Sequence, residues 1–477
     1  VIAAVLLFQL CTIRQGQGWT GDFALYLQHA INIVEGNPYH ETRFIPNPHN
    51  PFHSPKAYPP VYPLLLAPIY ALRGIDLEAL KLVATLLLPF ALLVATAPFA
   101  SLITSVERVA LFALLGFSPY LTDFKSHIVS DVPFLLLTSV AVLASQISEE
   151  GGVLRKRFGP LGYGIAIGLI ILAAIETRTV GITLVVALLV HALLTRRAIG
   201  QWQMTAALVA VAGSMALNRI LLGGSGYLDA LEIFRAGWEV LPIVVANNAR
   251  MFFSGLITFW SGAPLPLVPI LLAWGTLGTA IAGYVACCRS RAGLLEVFVP
   301  VYLLAILLWP GGEDIRLAIP IIPALIGYAV VGFNATITKI APRHSALAKG
   351  LLAVVIAMSF VLRLSSTKFE RFEPSVTDRD AQELFQAIRT NVLETGLVLS
   401  EKPRIISLFT SRPGVVFHIA SDETAHWDFL ESVHVSHVVL SRWHWDRSLT
   451  AFLRANAARF RLIFSNSSFG LYELTPI

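Results

Sequence analysis

Apolar residues in this chain come in long unbroken runs and do not alternate with polar ones. Runs recur at Leu80–Ala100, Val109–Tyr120, Val132–Ala144, Leu161–Ile175, Val180–Leu194, Met204–Leu222, Pro266–Cys287, Leu294–Trp309, Leu317–Phe333 and Leu351–Leu362. With the initial run Val1–Ile13 they predict about eleven membrane crossings. Several are shorter than the roughly 20 residues of an ideal span, so flanking residues complete them. Backbone groups in lipid must be satisfied within the segment, which makes the crossings helices; a barrel would show period two. Val1–Ile13 is too short to span alone and reads as the end of a truncated first helix, since no basic n-region or small-residue cleavage site marks a signal peptide.

Basic residues set the orientation. Arg155, Lys156 and Arg157, then Arg196 and Arg197, then Arg289 and Arg291, then Lys339, Arg343 and Lys349 fall on one side of this count. The positive-inside rule makes that side cytoplasmic, together with the N-terminus. The connections at 14–79, Tyr120–Asp131, Glu176–Thr179, Leu222–Pro264 and Gly311–Arg316 are then extracytoplasmic, as is everything after Leu364. Met251–Trp260 is read as an amphipathic or re-entrant piece of an outer loop, because a further span there would invert the later basic clusters.

From about Ser365 the pattern changes: charge rises, and strand-like runs alternate with helical ones. Asp378–Leu393 has helical spacing, Arg404–Phe409 and His437–Leu440 read as short buried strands, and Arg461–Leu474 reads as a hairpin around Asn466-Ser467-Ser468. The predicted architecture is a mainly α, polytopic membrane domain over 1–364, with its first outer loop at 14–79, followed by a small extracytoplasmic α/β domain over 365–477.

Composition agrees with the pattern. Of 477 residues 55% are hydrophobic and 14% charged, where soluble domains carry about 25% charged residues. Mean hydropathy is +0.68. The net charge of +5 belongs to cytoplasmic loops on this reading and does not point to nucleic acid. Cys11, Cys287 and Cys288 lie in or beside apolar runs, so neither a disulfide framework nor a metal site is inferred. The histidines of the tail, His418, His426, His434, His437 and His444, lack zinc-type spacing with cysteines and are read as solvated surface residues.

The candidate chemistry sits in the outward connections. Asp22 opens a predicted amphipathic helix in which Phe23, Leu27, Ala30, Ile31 and Val34 recur at helical spacing. A carboxylate there can cap the helix or serve as a general base on an acceptor hydroxyl, and the two roles are compatible. Tyr58-Pro59-Pro60 predicts a fixed non-helical wall. Lys125, His127 and Asp131 form a second polar cluster, with Ser130 or Asp131 as the cap of a helix entered at Pro133. Glu176 and Arg178 are placed to pair, since charges this close to lipid are costly alone. Arg316 opens a late span ahead of Pro320 and Pro323. Glu313 and Asp314 are too weak a signal for a divalent metal, which is left open without being assigned.

Together, Gly21-Asp22-Phe23-Ala24-Leu25-Tyr26, Glu35-Gly36-Asn37-Pro38-Tyr39 and Lys56-Ala57-Tyr58-Pro59-Pro60 followed by Pro63-Leu64-Leu65 resemble the GT-C glycosyltransferases. The branch resembled is that of protein O-mannosyltransferases and the lipid A aminoarabinose transferase. The resemblance implies a multispan enzyme that takes a sugar from a polyprenyl-phosphate donor, with inversion, and passes it to a glycolipid, polysaccharide or protein. It implies no cofactor. It makes Asp22 the base or acceptor-orienting residue; many members carry two adjacent acidic residues here, and this chain carries Gly21-Asp22. It makes Arg316 a ligand of the donor phosphate, as the arginine fork suits a phosphodiester. Lys56, Lys125 and Arg178 are further phosphate candidates, and Tyr58, His127 and Asp131 further residues of the site. The competing readings are a transporter or lipid-linked sugar flippase, which should carry ionisable residues in mid-membrane, and a non-catalytic receptor or assembly scaffold that works through its tail.

Overall fold

The apolar runs become helices because nothing else satisfies their backbone in lipid. The computed structural model describes residues 1–49, 55, 57–150, 153–196, 199–222, 239–262, 266–290, 292–310, 315–367, 369–418, 423–443 and 446–475. Among these, seven helical segments are long and apolar enough to cross a membrane: Leu77–Phe99, Arg155–Ile175, Gln201–Leu221, Val240–Phe259, Leu267–Ser290, Ile315–Ile340 and Pro342–Ser366. Ile2–Cys11, Val61–Arg73, Asp131–Ile147, Thr179–Thr195 and Leu294–Leu307 are shorter apolar helices. The chain is a mainly α, multi-pass membrane protein that carries one small α/β sheet. It divides into two compact units, each described by itself. One comprises Val1–Ile13, Lys81–Leu217 and Ile233–Phe369, the other Arg14–Leu80, Asn218–Glu232 and Glu370–Ile477.

The first unit is a helical bundle. Lipid offers helices no hydrophobic reason to associate, so close van der Waals approach must do it. Leu267–Ser290 and Ile322–Ile340 show how. A methyl group on Gly283 would fall 2.0 Å from the Tyr328 carbonyl oxygen, and one on Gly332 would fall 1.9 Å from that of Thr279. Only glycine lets these two backbones meet. At one end of the bundle Glu107 accepts from Lys349 (2.8 Å) and Asn334 (2.9 Å).

Met251–Trp260 belongs to a longer helix, Val240–Phe259. Its length suits a span, yet its partners lie at the end of the bundle that carries Asp131 and Arg316. Asn248 Nδ2 donates to the carbonyls of Leu307 (2.9 Å) and Trp309 (2.6 Å). Gly255 abuts Ile315, and the Phe259 ring lies 5.8 Å from that of Tyr120. Asn248 to Phe259 covers about 16 Å of helix.

The second unit is built on a six-stranded sheet. Its strands are β1 (Phe44–Ile45), β2 (Leu397–Ser400), β3 (Gly414–Val416), β4 (Val435–Ser441), β5 (Phe460–Ser465) and β6 (Phe469–Leu474), in the order β1-β3-β2-β4-β6-β5. β1 to β4 are parallel to their neighbours; β6 runs antiparallel to β4, and β5 to β6. β1 comes from the loop after the first apolar run, with Phe44 opposite Gly414 and Ile45 opposite Val415. A second seam joins Arg14–Thr20 to 370–376: Gln15 N–H donates to the Glu370 carbonyl (2.9 Å) and Phe372 N–H to that of Gln15 (3.1 Å). Gly16 in this seam has φ +66, and a methyl group there would sit 2.2 Å from Ser375 Oγ.

The helix read over Asp378–Leu393 forms as Arg379–Asn391, and the hairpin turns at Asn466-Ser467-Ser468. Arg404–Phe409 is a correction. It lies in a helix, Pro403–Thr410, and the buried strand is Leu397–Ser400 instead. A short apolar run does not declare its period, and Pro403 at the first helical position favours the helix.

Candidate active site

Asp22 stands in the first turn of the helix Gly21–Glu35, whose N-cap is Thr20. The helix dipole favours a carboxylate at this end. Asp22 Oδ1 accepts the Tyr58 hydroxyl at 2.8 Å, and its side chain is 27% exposed, so the group is held in place and still meets solvent. Tyr58 is itself buried. Its hydroxyl accepts from Arg404 Nη1 at 3.1 Å, and the same nitrogen lies 3.9 Å from Asp22 Oδ1. The Arg404 guanidinium carbon sits 4.6 Å from the centre of the Phe44 ring, a cation–π arrangement.

The Tyr58-Pro59-Pro60 element is fixed from beneath by His29. Tyr58 N–H donates to His29 Nε2 (3.0 Å), and His29 Nδ1 meets the Tyr39 carbonyl (2.8 Å). That pair of partners requires the neutral ring with its proton on Nδ1. The ring is wholly buried and stacked on Tyr39 at 4.3 Å. Burial above all, with Arg404 adding to it, lowers its pKa from 6.5 to about 4. Tyr39 Oη donates to the Tyr58 carbonyl (2.8 Å), and the Tyr26 ring packs against those of Tyr58 (4.7 Å) and Tyr62 (5.0 Å). Tyr26, Tyr39, Tyr58 and Tyr62 are thus buried, packed groups of this unit.

The bundle holds a second ionic cluster. Asp131, 1% exposed, receives Arg178 Nη1 on Oδ1 and Arg316 Nε on Oδ2, the latter at 3.1 Å. Two guanidiniums thus converge on one buried carboxylate, and the guanidinium fork also suits phosphate oxygens. The expected Glu176–Arg178 pair does not form. Ser214 Oγ donates to Glu176 Oε1 (2.6 Å), and Arg178 turns to Asp131, where the carboxylate is the more deeply buried need. Asp131 begins the helix Asp131–Glu150 as an ion-pair partner, with Ser130 supplying the carbonyl for Phe134 N–H (3.0 Å).

The other sequence candidates fall elsewhere. Lys125 is wholly buried and donates to the Gln9 carbonyl, while Gln9 Nε2 reaches Gly116 O (2.7 Å) and Thr122 Oγ1 (3.2 Å). These contacts tie the first helix to the turn before Asp131. His127 is half-buried, its ring 6.2 Å from that of Phe124. Lys56, Glu313, Asp314 and His444 lie outside the described residues. Among the described residues no three of His, Cys, Asp and Glu converge as metal ligands. Reading the tail histidines as solvated fails for His426, which is fully buried against Phe417 and Phe452, and for His437 in β4. Both rings have pKa values lowered by burial, His426 to about 4.

Arg404 and His29 are the residues that sequence reasoning missed. Arg404 was hidden by its assignment to a strand. His29 had a signal: Asp22, Tyr26 and His29 recur at i, i+4 and i+7 on one helix face.

The described residues thus combine a bundle of apolar helices, seven of them long enough to cross a membrane, with one small α/β sheet. No family model and no curated protein matches the sequence. The solved structures give the likeness. ArnT from Cupriavidus metallidurans, bound to undecaprenyl phosphate, aligns with TM-score 0.56 at 13% identity, over 99% of this chain and 97% of its own. The Archaeoglobus fulgidus oligosaccharyltransferase AglB, in complex with an inhibitory peptide and a dolichol-phosphate, aligns with TM-score 0.59 at 12% identity, over 92% of this chain and 69% of its own. The same oligosaccharyltransferase tethered to an acceptor peptide aligns with TM-score 0.57 at 11% identity. The chain therefore has the fold of GT-C glycosyltransferases.

Proposed function

We propose that this protein is an integral membrane glycosyltransferase that moves a sugar from a polyprenyl-phosphate donor to an extracytoplasmic acceptor, with inversion. The observation that carries the reading is Asp22: a partly exposed carboxylate held by Tyr58 at a helix start, in a chain with this fold. Its support comes also from the fold neighbours, which are bound to undecaprenyl phosphate and to a dolichol-phosphate.

In the proposed reaction Asp22 takes the proton of the acceptor hydroxyl as that oxygen bonds to the anomeric carbon. The bond from that carbon to the phosphate oxygen breaks, and the electron pair leaves with the polyprenyl phosphate. On the resemblance to GT-C enzymes, the phosphate role falls to Arg178 and Arg316, whose charge would stabilise the leaving group. The side carrying Asp22 is taken as extracytoplasmic from the distribution of arginine and lysine along the sequence. The acceptor class is a glycolipid, polysaccharide or protein hydroxyl.

The test is reconstitution into liposomes with a panel of radiolabelled undecaprenyl-phosphate hexoses and pentoses, given crude envelope fractions as acceptor. New glycosidic product and released undecaprenyl phosphate support the proposal. Movement of labelled donor across the bilayer with no product makes the protein a flippase and overturns it.

A further inference from the structure

The sheet-bearing C-terminal segment reaches the proposed base through Arg404. Arg404 lies in the first turn of Pro403–Thr410 and is 9% exposed. Its guanidinium is braced over the Phe44 ring at 4.6 Å and beside the Tyr58 ring at 5.5 Å. Phe44 is fixed in turn by the pairing of β1 with β3. From that seat Nη1 donates to Tyr58 Oη, and Tyr58 Oη donates to Asp22 Oδ1.

A phenol has a single proton. Once its oxygen accepts from Arg404, which has no acceptor to offer, that proton is directed to Asp22. Arg404 thus fixes the direction in which Tyr58 gives its proton, toward Asp22 Oδ1. The cation is also 3.9 Å from the same carboxylate oxygen, close enough to favour its ionised form. Lysine could supply the charge from this place but not the planar group that stacks on Phe44 while donating to Tyr58.

We infer that Arg404 is a positioning residue for Asp22, acting through Tyr58, and that holding this relay is the function of the C-terminal α/β segment in the reaction. The inference rests on Asp22 being the base. It assigns the tail to the catalytic unit and not to acceptor docking.

The experiment measures transfer from pH 4 to 8, using whichever radiolabelled undecaprenyl-phosphate sugar the wild-type protein turns over. Arg404→Gln is expected to lower the rate at neutral pH ten- to hundredfold, the scale of a misplaced catalytic group. It should also move the acidic limb of the profile upward, since the cation beside the carboxylate is gone. Arg404→Lys should leave the limb in place and lower the rate about tenfold; Tyr58→Phe should lower the rate by a similar factor and move the limb upward, since a hydrogen bond to the ionised carboxylate is lost. A folded Arg404→Gln protein with the wild-type limb overturns the inference. If that variant does not accumulate, a wild-type rate in both Arg404→Lys and Tyr58→Phe overturns it. Asp22→Asn separates the two levels. Full activity there removes the base and this inference with it, whereas an inactive Asp22→Asn beside an unshifted Arg404→Gln limb removes this inference alone.

Discussion

His29 offers a measurement that needs no substrate. The neutral ring accepts Tyr58 N–H on Nε2 and gives its Nδ1 proton to the Tyr39 carbonyl. Protonation would set a second N–H against Tyr58 N–H inside a packed stack. A fall in pKa from 6.5 to about 4 corresponds to about 3 kcal/mol in favour of the neutral ring. The unfolded chain takes up this proton near pH 6.5 and the folded chain does not until about pH 4. His29 thus contributes its full stability above pH 6.5, and that contribution is lost progressively as pH falls toward 4. His29→Phe keeps the stacking but leaves Tyr58 N–H unpaired; the Tyr39 carbonyl retains Asn32 Nδ2 at 3.2 Å. The variant should be about 1–3 kcal/mol less stable at pH 7.5, the cost of one buried unsatisfied donor. The assay is thermal or chemical unfolding of detergent-solubilised protein at half-unit steps from pH 7.5 to 4, reported as wild type minus variant. Other titrating groups, His426 among them, occur in both proteins and cancel. The difference should shrink by about 3 kcal/mol across the range and close or reverse by pH 4. A difference that stays constant with pH would refute the neutral-histidine clamp.

Three further outcomes follow from the same geometry. Asp131→Ala should cost about 3–5 kcal/mol, because it leaves Arg178 and Arg316 facing each other without their shared carboxylate; Arg178→Ala should cost less, since Arg316 still pairs with Asp131. Denaturant midpoints would check the order of the two. Gly16→Ala should destabilise the seam with 370–376 by about 2 kcal/mol or more, because it combines a positive φ with a 2.2 Å clash on Ser375 Oγ. Gly36→Ala, also at positive φ but facing open space, should cost about 1 kcal/mol. Limited proteolysis and unfolding midpoints separate those two.

The membrane helices were legible because lipid imposes one solution on a long apolar run. Asp22 and the Tyr58 element were legible as a polar, proline-marked stretch in a chain that avoids charge, and Arg178, Arg316 and Asp131 as charges at the ends of runs. Pairing was not legible. Nothing in the local pattern tells Arg178 to choose Asp131, 47 positions earlier, over Glu176 two positions away. The packed bundle decides it, by bringing Asp131 against the guanidinium. Arg404 was lost for a related reason: its run of apolar neighbours is too short to declare a period, and its partner Tyr58 lies 346 positions away. Lys125 shows the converse. A lysine between two runs looks available for a ligand, but the first helix brings the Gln9 carbonyl to it.

The central claim is that Asp22 is the catalytic base, and substitution by asparagine tests it most directly, since the amide keeps the shape and can still accept from Tyr58 but cannot take a proton. The measurement is the initial rate of labelled sugar transfer by reconstituted wild-type and Asp22→Asn proteins at matched amounts and matched unfolding midpoints. The account predicts a loss of about 10²–10⁴-fold, the contribution of a general base. Transfer by folded Asp22→Asn at the wild-type rate would contradict it.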